Sequence, residues 1–96
     1  MTIKLHSEAR KEFFEAAEYY EEQVVGLGDD FVNEIEKVFA VIEQQPASGT
    51  KITNTERRFL VSRFPYGIIY SVEVDQIIIF AVMDLRRKPG YWKSRR

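Results

Sequence analysis

The sequence contains no cysteine and a single histidine, His6, among its 96 residues. Disulfides and thiolate-ligated metals are therefore excluded, and one imidazole cannot provide a paired-histidine metal site. A protein without disulfides is typical of the reducing cytoplasm, and no apolar run is long enough for a signal peptide or a membrane-spanning helix. We predict a cytoplasmic protein without a metal or other cofactor, in which His6 is an ordinary surface residue near a strand end.

Residues for hydrolytic or nucleotide chemistry are also lacking. None of the serines has a recognisable base partner, and the GLGDD stretch is too short and wrongly placed for a dinucleotide-binding loop. The first predicted helix is rich in glutamate, but at helical spacing these side chains line a solvated face rather than converge on a cation. The glutamates assigned to that face are Glu8, Glu12, Glu15, Glu18 and Glu22.

Charge is distributed unevenly along the chain. Residues 1–45 contain four Lys and Arg against eleven Asp and Glu, whereas residues 46–96 contain ten against four. The net charge of -1 therefore conceals a C-terminal half that carries +6. Because screening at physiological salt limits the reach of a charge to roughly 8 Å, this half can attract an anionic partner despite the near-neutral total.

The first half of the sequence has the periodicity of a short strand followed by two helices. The opening TIKL alternates polar and apolar residues, and Ser7 is the expected N-cap of a helix over SEARKEFFEAAEYYEEQ. A glycine-containing link ends this helix. Asp29 or Asp30 then caps a second helix that reaches about Gln45, and so short a link predicts an antiparallel helical hairpin.

The second half is predicted to be a β-meander. The segments 59–64, 67–74 and 77–85 are rich in β-branched and aromatic residues, and the SGTKITNTE stretch before them reads as a loop. The run IIIFAV is apolar on both faces, which indicates a central strand covered on one side by the helices. The predicted fold is a single α+β domain over residues 1–96. In it, an N-terminal strand and a two-helix antiparallel hairpin pack on an antiparallel β-meander, in the order β-α-α-β-β-β.

Basic and aromatic side chains concentrate around the predicted strands. Arginine outnumbers lysine seven to three in residues 46–96, and its fork of donors suits phosphate and carboxylate groups. The aromatic residues among them are suited to stacking on bases or anchoring a protein partner. The alternative to a binding surface is that these basic residues only keep the edge of the sheet soluble and that the chain end is disordered. The candidate binding residues are Arg57, Arg58, Arg63, Arg86, Arg87, Lys88, Tyr91 and Trp92.

The string ERRFLVSRFPYGIIYSVEVDQIIIFAVMDLRRKPGYWKSR resembles the second half of the RelE/ParE toxin superfamily. The shared features are a Phe-Pro-Tyr turn, an Ile-x-Tyr strand, an apolar strand and an Arg-x-Pro-x-Tyr-Trp close. The first half agrees through AAEYYEEQ and LGDDFVNEIEKVFAVIEQQP, so the resemblance spans about Ser7 to Arg95. It implies the fold that the periodicity predicts.

The resemblance implies the toxin component of a type II toxin–antitoxin system. One partner is then a cognate antitoxin, whose acidic segment can fold onto the basic half of the toxin. A homodimer and a toxin–antitoxin hetero-oligomer are both compatible with the resemblance. An inactive member that only binds an antitoxin through its basic edge is a further alternative.

The two branches of the superfamily differ in their target and in whether the protein is an enzyme. RelE-like members are metal-independent endoribonucleases that cut mRNA on the ribosome. For that role the matching residues are Arg63, Arg87 and Tyr91, as charge and proton-transfer groups. Gly67 stands where such nucleases have an arginine, and Asp84 stands where some members have a histidine.

ParE-like members instead inhibit DNA gyrase and need no catalytic residue of their own. The FPYGIIY turn and the RRKPGYW ending favour this branch. Arg86, Arg87, Tyr91 and Trp92 are then the expected contacts to a topoisomerase–DNA complex. The closing stretch is predicted to divide in two, with residues 86–92 anchored on the sheet by Tyr91 or Trp92, and residues 93–96 a mobile basic tail.

Overall fold

A computed structural model describes residues 1–95 of the chain, and Arg96 lies outside the described residues. In chain order the elements are β1 (Thr2–Leu5), α1 (Ser7–Gln23), α2 (Leu27–Gln44), β2 (Thr50–Lys51), β3 (Arg57–Leu60), β4 (Tyr66–Val72) and β5 (Gln76–Asp84). Short 3-10 turns occupy Pro46–Ser48 and Tyr91–Arg95. The predicted α+β class and element types are confirmed. Within the described chain, neither helix is both long and apolar enough to cross a bilayer.

The sheet has five strands in the order β1-β5-β4-β3-β2. Strands β2 to β5 pair antiparallel in sequence order, which confirms the predicted meander. Strand β1 pairs parallel with β5, with Ile3 opposite Ile77. Strand β2 lies within the SGTKITNTE stretch, so the prediction of a loop there is wrong for Thr50–Lys51.

The strand boundaries shift by a few residues where backbone turns intervene. The predicted 59–64 strand begins at Arg57 and ends at Leu60. Arg63 then has a left-handed φ of 70°, and the Tyr66 amide donates to the Phe64 carbonyl at 2.8 Å. This turn reverses the chain before the proline-containing stretch can continue as a strand.

Helix α1 spans the predicted residues with a different N-cap, and α2 begins earlier than predicted. His6 rather than Ser7 is the N-cap of α1, and its Nδ1 accepts a hydrogen bond from the Glu8 amide at 3.1 Å. Helix α2 begins at Leu27, two residues before Asp29. The Glu21 carboxylate of α1 accepts from the amides of Gly26 and Gly28 at 3.0–3.1 Å. It therefore supplies the negative charge that a helix N-terminus favours.

Both faces of the sheet are covered. The helical hairpin covers one face through buried residues such as Phe31, Ile35 and Ile42. The other face carries a smaller core that consists of Ile69, Phe80, Ala81, Met83 and Trp92. Trp92 is 6% exposed, which confirms that the closing segment is anchored on the sheet. The sequence predicted that the helices cover one face of the sheet. It did not predict a second apolar layer on the other face.

A β-bulge in β5 reverses the alternation of its side chains between the two cores. Ile69 lies opposite Ala81 and Tyr70 opposite Ile79, so Phe80 is an extra residue in β5. Because side chains alternate along a strand, the extra residue inverts the alternation. Ile79 and Val82 thus contribute to the helix-side core, while Phe80 and Ala81 both contribute to the opposite core.

Tyr70 joins the centre of the sheet to the loop after α2. Its side chain is fully buried. Its hydroxyl donates to the Pro46 carbonyl at 2.7 Å and accepts from the Gly49 amide at 2.8 Å. Two backbone groups of the loop therefore depend on one phenol.

We expect Tyr70→Phe to lower the free energy of unfolding by about 1–3 kcal/mol, because it leaves buried polar backbone groups without a partner. Urea unfolding followed by circular dichroism measures the change. Tyr19→Phe is the matched control, since the Tyr19 side chain is half exposed and its loss should change the value by no more than about 0.5 kcal/mol. Equal stability of the two variants would contradict the role given to the Tyr70 hydroxyl.

Candidate target-binding site

The closing segment is held at an edge of β5 that no strand covers. The parallel pairing of β1 ends where Leu5 meets Ile79. Beyond it, the Glu12 carboxylate of α1 accepts a hydrogen bond from the Val82 amide at 3.0 Å, and Arg95 donates to the Phe80 carbonyl at 2.9 Å. Two side chains therefore satisfy backbone groups that an adjacent strand would otherwise bind.

Glu12 and Arg95 also bind each other through two hydrogen bonds. Both nitrogen–oxygen distances are 3.0 Å, and the two side chains are 14% and 12% exposed. Arg87 adds a longer ion pair to the same carboxylate, at 3.5 Å. The assignment of Glu12 to a solvated face is therefore wrong, and so is the prediction of a mobile tail for Arg95. Arg96, the last residue of that predicted tail, is outside the described residues.

Tyr91 completes this group, which we call the Glu12 cluster (Glu12, Arg87, Tyr91 and Arg95). The guanidinium of Arg87 lies 3.8 Å from the Tyr91 ring centroid and that of Arg95 lies 4.9 Å from it. The Tyr91 hydroxyl is buried and makes no hydrogen bond of good geometry within residues 1–95. Burial, and then the neighbouring Glu12 carboxylate, raise the pKa of Tyr91.

An open cleft of about 360 Å³ lies beside the Glu12 cluster, between α1 and the end of β5. Three carboxylates line it, those of Glu12, Glu15 and Asp84, against the two guanidinium groups of Arg86 and Arg87. Arg86 binds Asp84 through two hydrogen bonds of 2.8 and 2.9 Å, and this contact lowers the pKa of Asp84. The positive charge that lines the cleft is therefore matched by carboxylates within the protein.

The remaining predicted residues are not brought into this cleft. Arg57 donates to the carbonyls of Ala47 and Gly49 and so supports the loop before β2. Arg63 pairs with Asp30 of α2 at 3.3 Å. Lys88 is exposed on the loop after β5.

Arg58 and Trp92 share a different pocket, on the face of the sheet away from the helices. The eight predicted residues therefore divide among several places, and only Arg86, Arg87 and Tyr91 lie at or beside the cleft. Within residues 1–95, no group of three or more acidic or histidine side chains forms a metal site.

Sequence reasoning missed Glu12, although a signal was present. Glu12 lies three residues after Ala9 and four before Ala16, and both alanines are buried. Residues at these spacings share one helix face, so Glu12 borders the buried stripe of α1. A charged residue at that border, flanked by alanines that leave room, is suited to pair with a buried arginine.

The observed topology and the basic closing segment agree with the resemblance to the RelE/ParE toxin superfamily. A family model described as the ParE toxin of the type II toxin–antitoxin system parDE matches residues 3–89. The chain therefore belongs to the ParE toxin family, and the resemblance seen in the sequence is confirmed. Membership makes it the toxin component of such a system and implies a cognate antitoxin.

A solved structure titled "Chromosomal ParDE TA system from P. aeruginosa" is similar in fold. The TM-score is 0.75 at 16% sequence identity, and the alignment covers 90% of this chain and 97% of that chain. The comparison with curated proteins gives no match.

We expect Glu12→Gln to lower the free energy of unfolding by about 3 kcal/mol, because it leaves the buried Arg95 guanidinium without its counter-charge. Urea unfolding followed by the fluorescence of Trp92, the only tryptophan of the chain, reports the loss. Glu15→Gln on the same helix is the control, since its side chain is 66% exposed and its pair with Lys11 spans 3.9 Å. Its effect should stay within about 0.5 kcal/mol, and a similar cost for both variants would contradict the importance of the cluster.

The raised pKa of Tyr66 predicts that the stability of the protein depends on pH in the alkaline range. Burial, then the charge of Asp84, raise its pKa from 10.0 to about 12. The folded state therefore holds the phenol proton between these values, while the unfolded state releases it. We expect the free energy of unfolding to fall as pH rises from 10 to 12, and to fall less steeply in Tyr66→Phe. Parallel slopes for the two proteins would contradict the shift.

Proposed function

We propose that this toxin inhibits DNA gyrase by binding, without cutting RNA. The observation that carries the proposal is the Glu12 cluster, which contains two of the three residues that the nuclease alternative would use, Arg87 and Tyr91. A phosphoryl-transfer site needs a proton acceptor and unpartnered positive charge near the phosphate. Here the Tyr91 hydroxyl is buried and its pKa is raised, while Arg87 is paired with Glu12.

The charge of the cleft further supports this proposal. A phosphate that approached Arg86 and Arg87 would also approach the carboxylates of Glu12, Glu15 and Asp84. Like charges at such short range oppose binding of the substrate.

The surface that we assign to gyrase is the loop of Arg86, Arg87 and Lys88. The side chains of Arg86 and Arg87 are 66% and 53% exposed, and Lys88 is exposed as well. The loop is held at one end by β5 and at the other by the buried Trp92. A loop held at both ends loses little conformational entropy when a partner binds it. In this proposal Tyr91 and Trp92 support the loop, Lys88 supplies a cation away from the cleft carboxylates, and the exposed parts of Arg86 and Arg87 add polar contacts.

Two assays on the antitoxin-free toxin distinguish the candidate functions. We expect purified toxin to inhibit supercoiling of plasmid DNA by gyrase, and its expression in cells to induce the SOS response while translated messages stay intact. Cleavage of messages within codons, detected by primer extension with gyrase unaffected, would contradict the proposal and favour a ribonuclease. The absence of any growth effect would favour a protein that only binds antitoxin.

Removing a single exposed charge from the loop should reduce potency. We expect Lys88→Gln to raise the toxin concentration for half-inhibition of gyrase roughly two- to fivefold at low salt, which is the scale of one exposed charge pair, and less at high salt. Lys51→Gln is the matched control, because Lys51 is an exposed lysine on β2 at the far edge of the sheet. Equal potency of the two variants would contradict the assignment of the loop.

A further inference from the structure

The two arginines at the cleft differ in how their N–H donors are used. Arg86 donates to Asp84 from Nε and from a terminal nitrogen, at 2.9 and 2.8 Å. Within residues 1–95, Arg87 makes no side-chain hydrogen bond, and its one ion pair there is the 3.5 Å contact to Glu12. Both side chains are more than half exposed. Arg87 therefore has accessible donors that the described chain does not bind.

Arg87 is nevertheless held in place. Its guanidinium lies over the Tyr91 ring, 3.8 Å from the centroid, and the Glu12 carboxylate lies beside it. Its backbone amide donates to the Asp84 carbonyl at 3.0 Å, which fixes the main chain below the side chain. A guanidinium on an aromatic face keeps its donors in its own plane, where an acceptor can reach them. A side chain held before binding loses little conformational entropy when a partner binds it.

The charge around Arg87 is balanced within the protein. Three carboxylates line the cleft, and the three guanidinium groups near them are the two at the cleft and that of Arg95, which binds Glu12. An anion that approached would gain little attraction and would meet the carboxylates. An uncharged acceptor, such as a carbonyl oxygen, meets the donors of Arg87 without that repulsion. The arrangement thus favours an uncharged acceptor.

A carbonyl oxygen of a protein fits this site better than the edge of a DNA base. A base edge is reached through a groove whose walls carry phosphates, and most contacts of a DNA-binding protein are made to those phosphates. Such an approach would bring anions to the cleft carboxylates. The surface of a protein presents backbone carbonyls without flanking phosphates. The acceptor is therefore expected on the protein part of a gyrase–DNA complex.

We propose that Arg87 determines the specificity of this toxin for gyrase by donating to an uncharged acceptor, a carbonyl oxygen of the gyrase protein. Tyr91 is a positioning residue that holds the guanidinium for this contact. Lys88 attracts the target through its charge, whereas Arg87 recognises the hydrogen-bonding groups of the target. This inference rests on the proposed function, because it names the contact through which gyrase is recognised.

Nuclear magnetic resonance on the free toxin tests the position of Arg87 without gyrase. An aromatic ring shifts the signals of protons that lie over its face upfield. We expect the side-chain signals of Arg87 upfield of those of Arg10, an exposed arginine of α1. Tyr91→Phe should keep the shift, because it keeps the ring and removes a hydroxyl without a hydrogen bond of good geometry in residues 1–95. Tyr91→Leu should abolish it. The absence of an upfield shift in the parent would contradict the positioning role.

Arg87→Lys tests the donor geometry, because lysine keeps the charge and loses the planar fork of donors. We expect the toxin concentration for half-inhibition of supercoiling to rise roughly tenfold. The factor should be the same at low and high salt, since salt screens charges and affects a contact to an uncharged group little. Arg10→Lys makes the same exchange at a residue that does not line the cleft, and it should inhibit like the parent. Calorimetry with gyrase in the absence of DNA should show the same loss of affinity.

The two Tyr91 variants test positioning in the same assay. We expect Tyr91→Leu to lose potency about as much as Arg87→Lys, and Tyr91→Phe to stay within about twofold of the parent. Fluorescence of Trp92 shows whether each variant is folded at the assay temperature. Arg87→Lys changes an exposed side chain, so it tests the contact even where Tyr91→Leu does not fold.

The possible outcomes separate this inference from the proposed function. A parent toxin that does not inhibit gyrase would refute the proposed function and this inference with it. Inhibition by the parent together with full potency of Arg87→Lys would overturn this inference alone. A loss that disappears at high salt would indicate an anionic acceptor, and a loss that requires DNA would place the acceptor on DNA; either would overturn it as well. Equal losses in Tyr91→Phe and Tyr91→Leu would assign the effect to the hydroxyl and exclude positioning by the ring.

Discussion

The ion pair between Glu12 and Arg95 is the interaction on which the arrangement of the C-terminal segment depends. It joins the first helix, the uncovered edge of β5 and the closing turn, which lie far apart in sequence. A buried ion pair adds little to the free energy of unfolding compared with an apolar pair, but removal of one partner lowers it strongly. It therefore acts mainly by making one arrangement of these three parts much more favourable than any other. The anchoring of Trp92 and the shape of the cationic loop follow from that arrangement.

In the proposed function, the same pair distinguishes this toxin from a nuclease that has the same fold. Fold alone does not determine activity in such a family, because activity resides in the side chains placed on it. Here Asp84 and Glu12 pair with Arg86 and Arg87 at the cleft, while Lys88 is exposed on the same loop.

Sequence periodicity was sufficient for the helices, the meander and the anchoring of the closing segment, because these follow from which side chains are apolar. It failed where a polar side chain satisfies a distant backbone group. His6 is the N-cap of α1 in place of Ser7, and Glu21 binds the amides of Gly26 and Gly28 at the start of α2. Helical spacing predicts that Glu12 lies on a solvated face, and the sequence shows no anchor for Arg95; only the folded chain brings the two together. The parallel pairing of β1 with β5 could not be predicted either, because the residue pattern within a strand does not indicate which strand it pairs with.

The bulge at Phe80 has a consequence for how strand β5 keeps its register. Helix α1 contacts the strand on both sides of the extra residue. Its capping residue His6 donates through its amide to the Ile79 carbonyl at 2.9 Å, and Glu12 accepts from the Val82 amide at 3.0 Å. The distance between His6 and Glu12 is fixed by the helix. It therefore limits how many residues of β5 can lie between Ile79 and Val82. A slip that moved the extra residue outside the segment between Ile79 and Val82 would change the spacing of these two positions and break one of the two bonds.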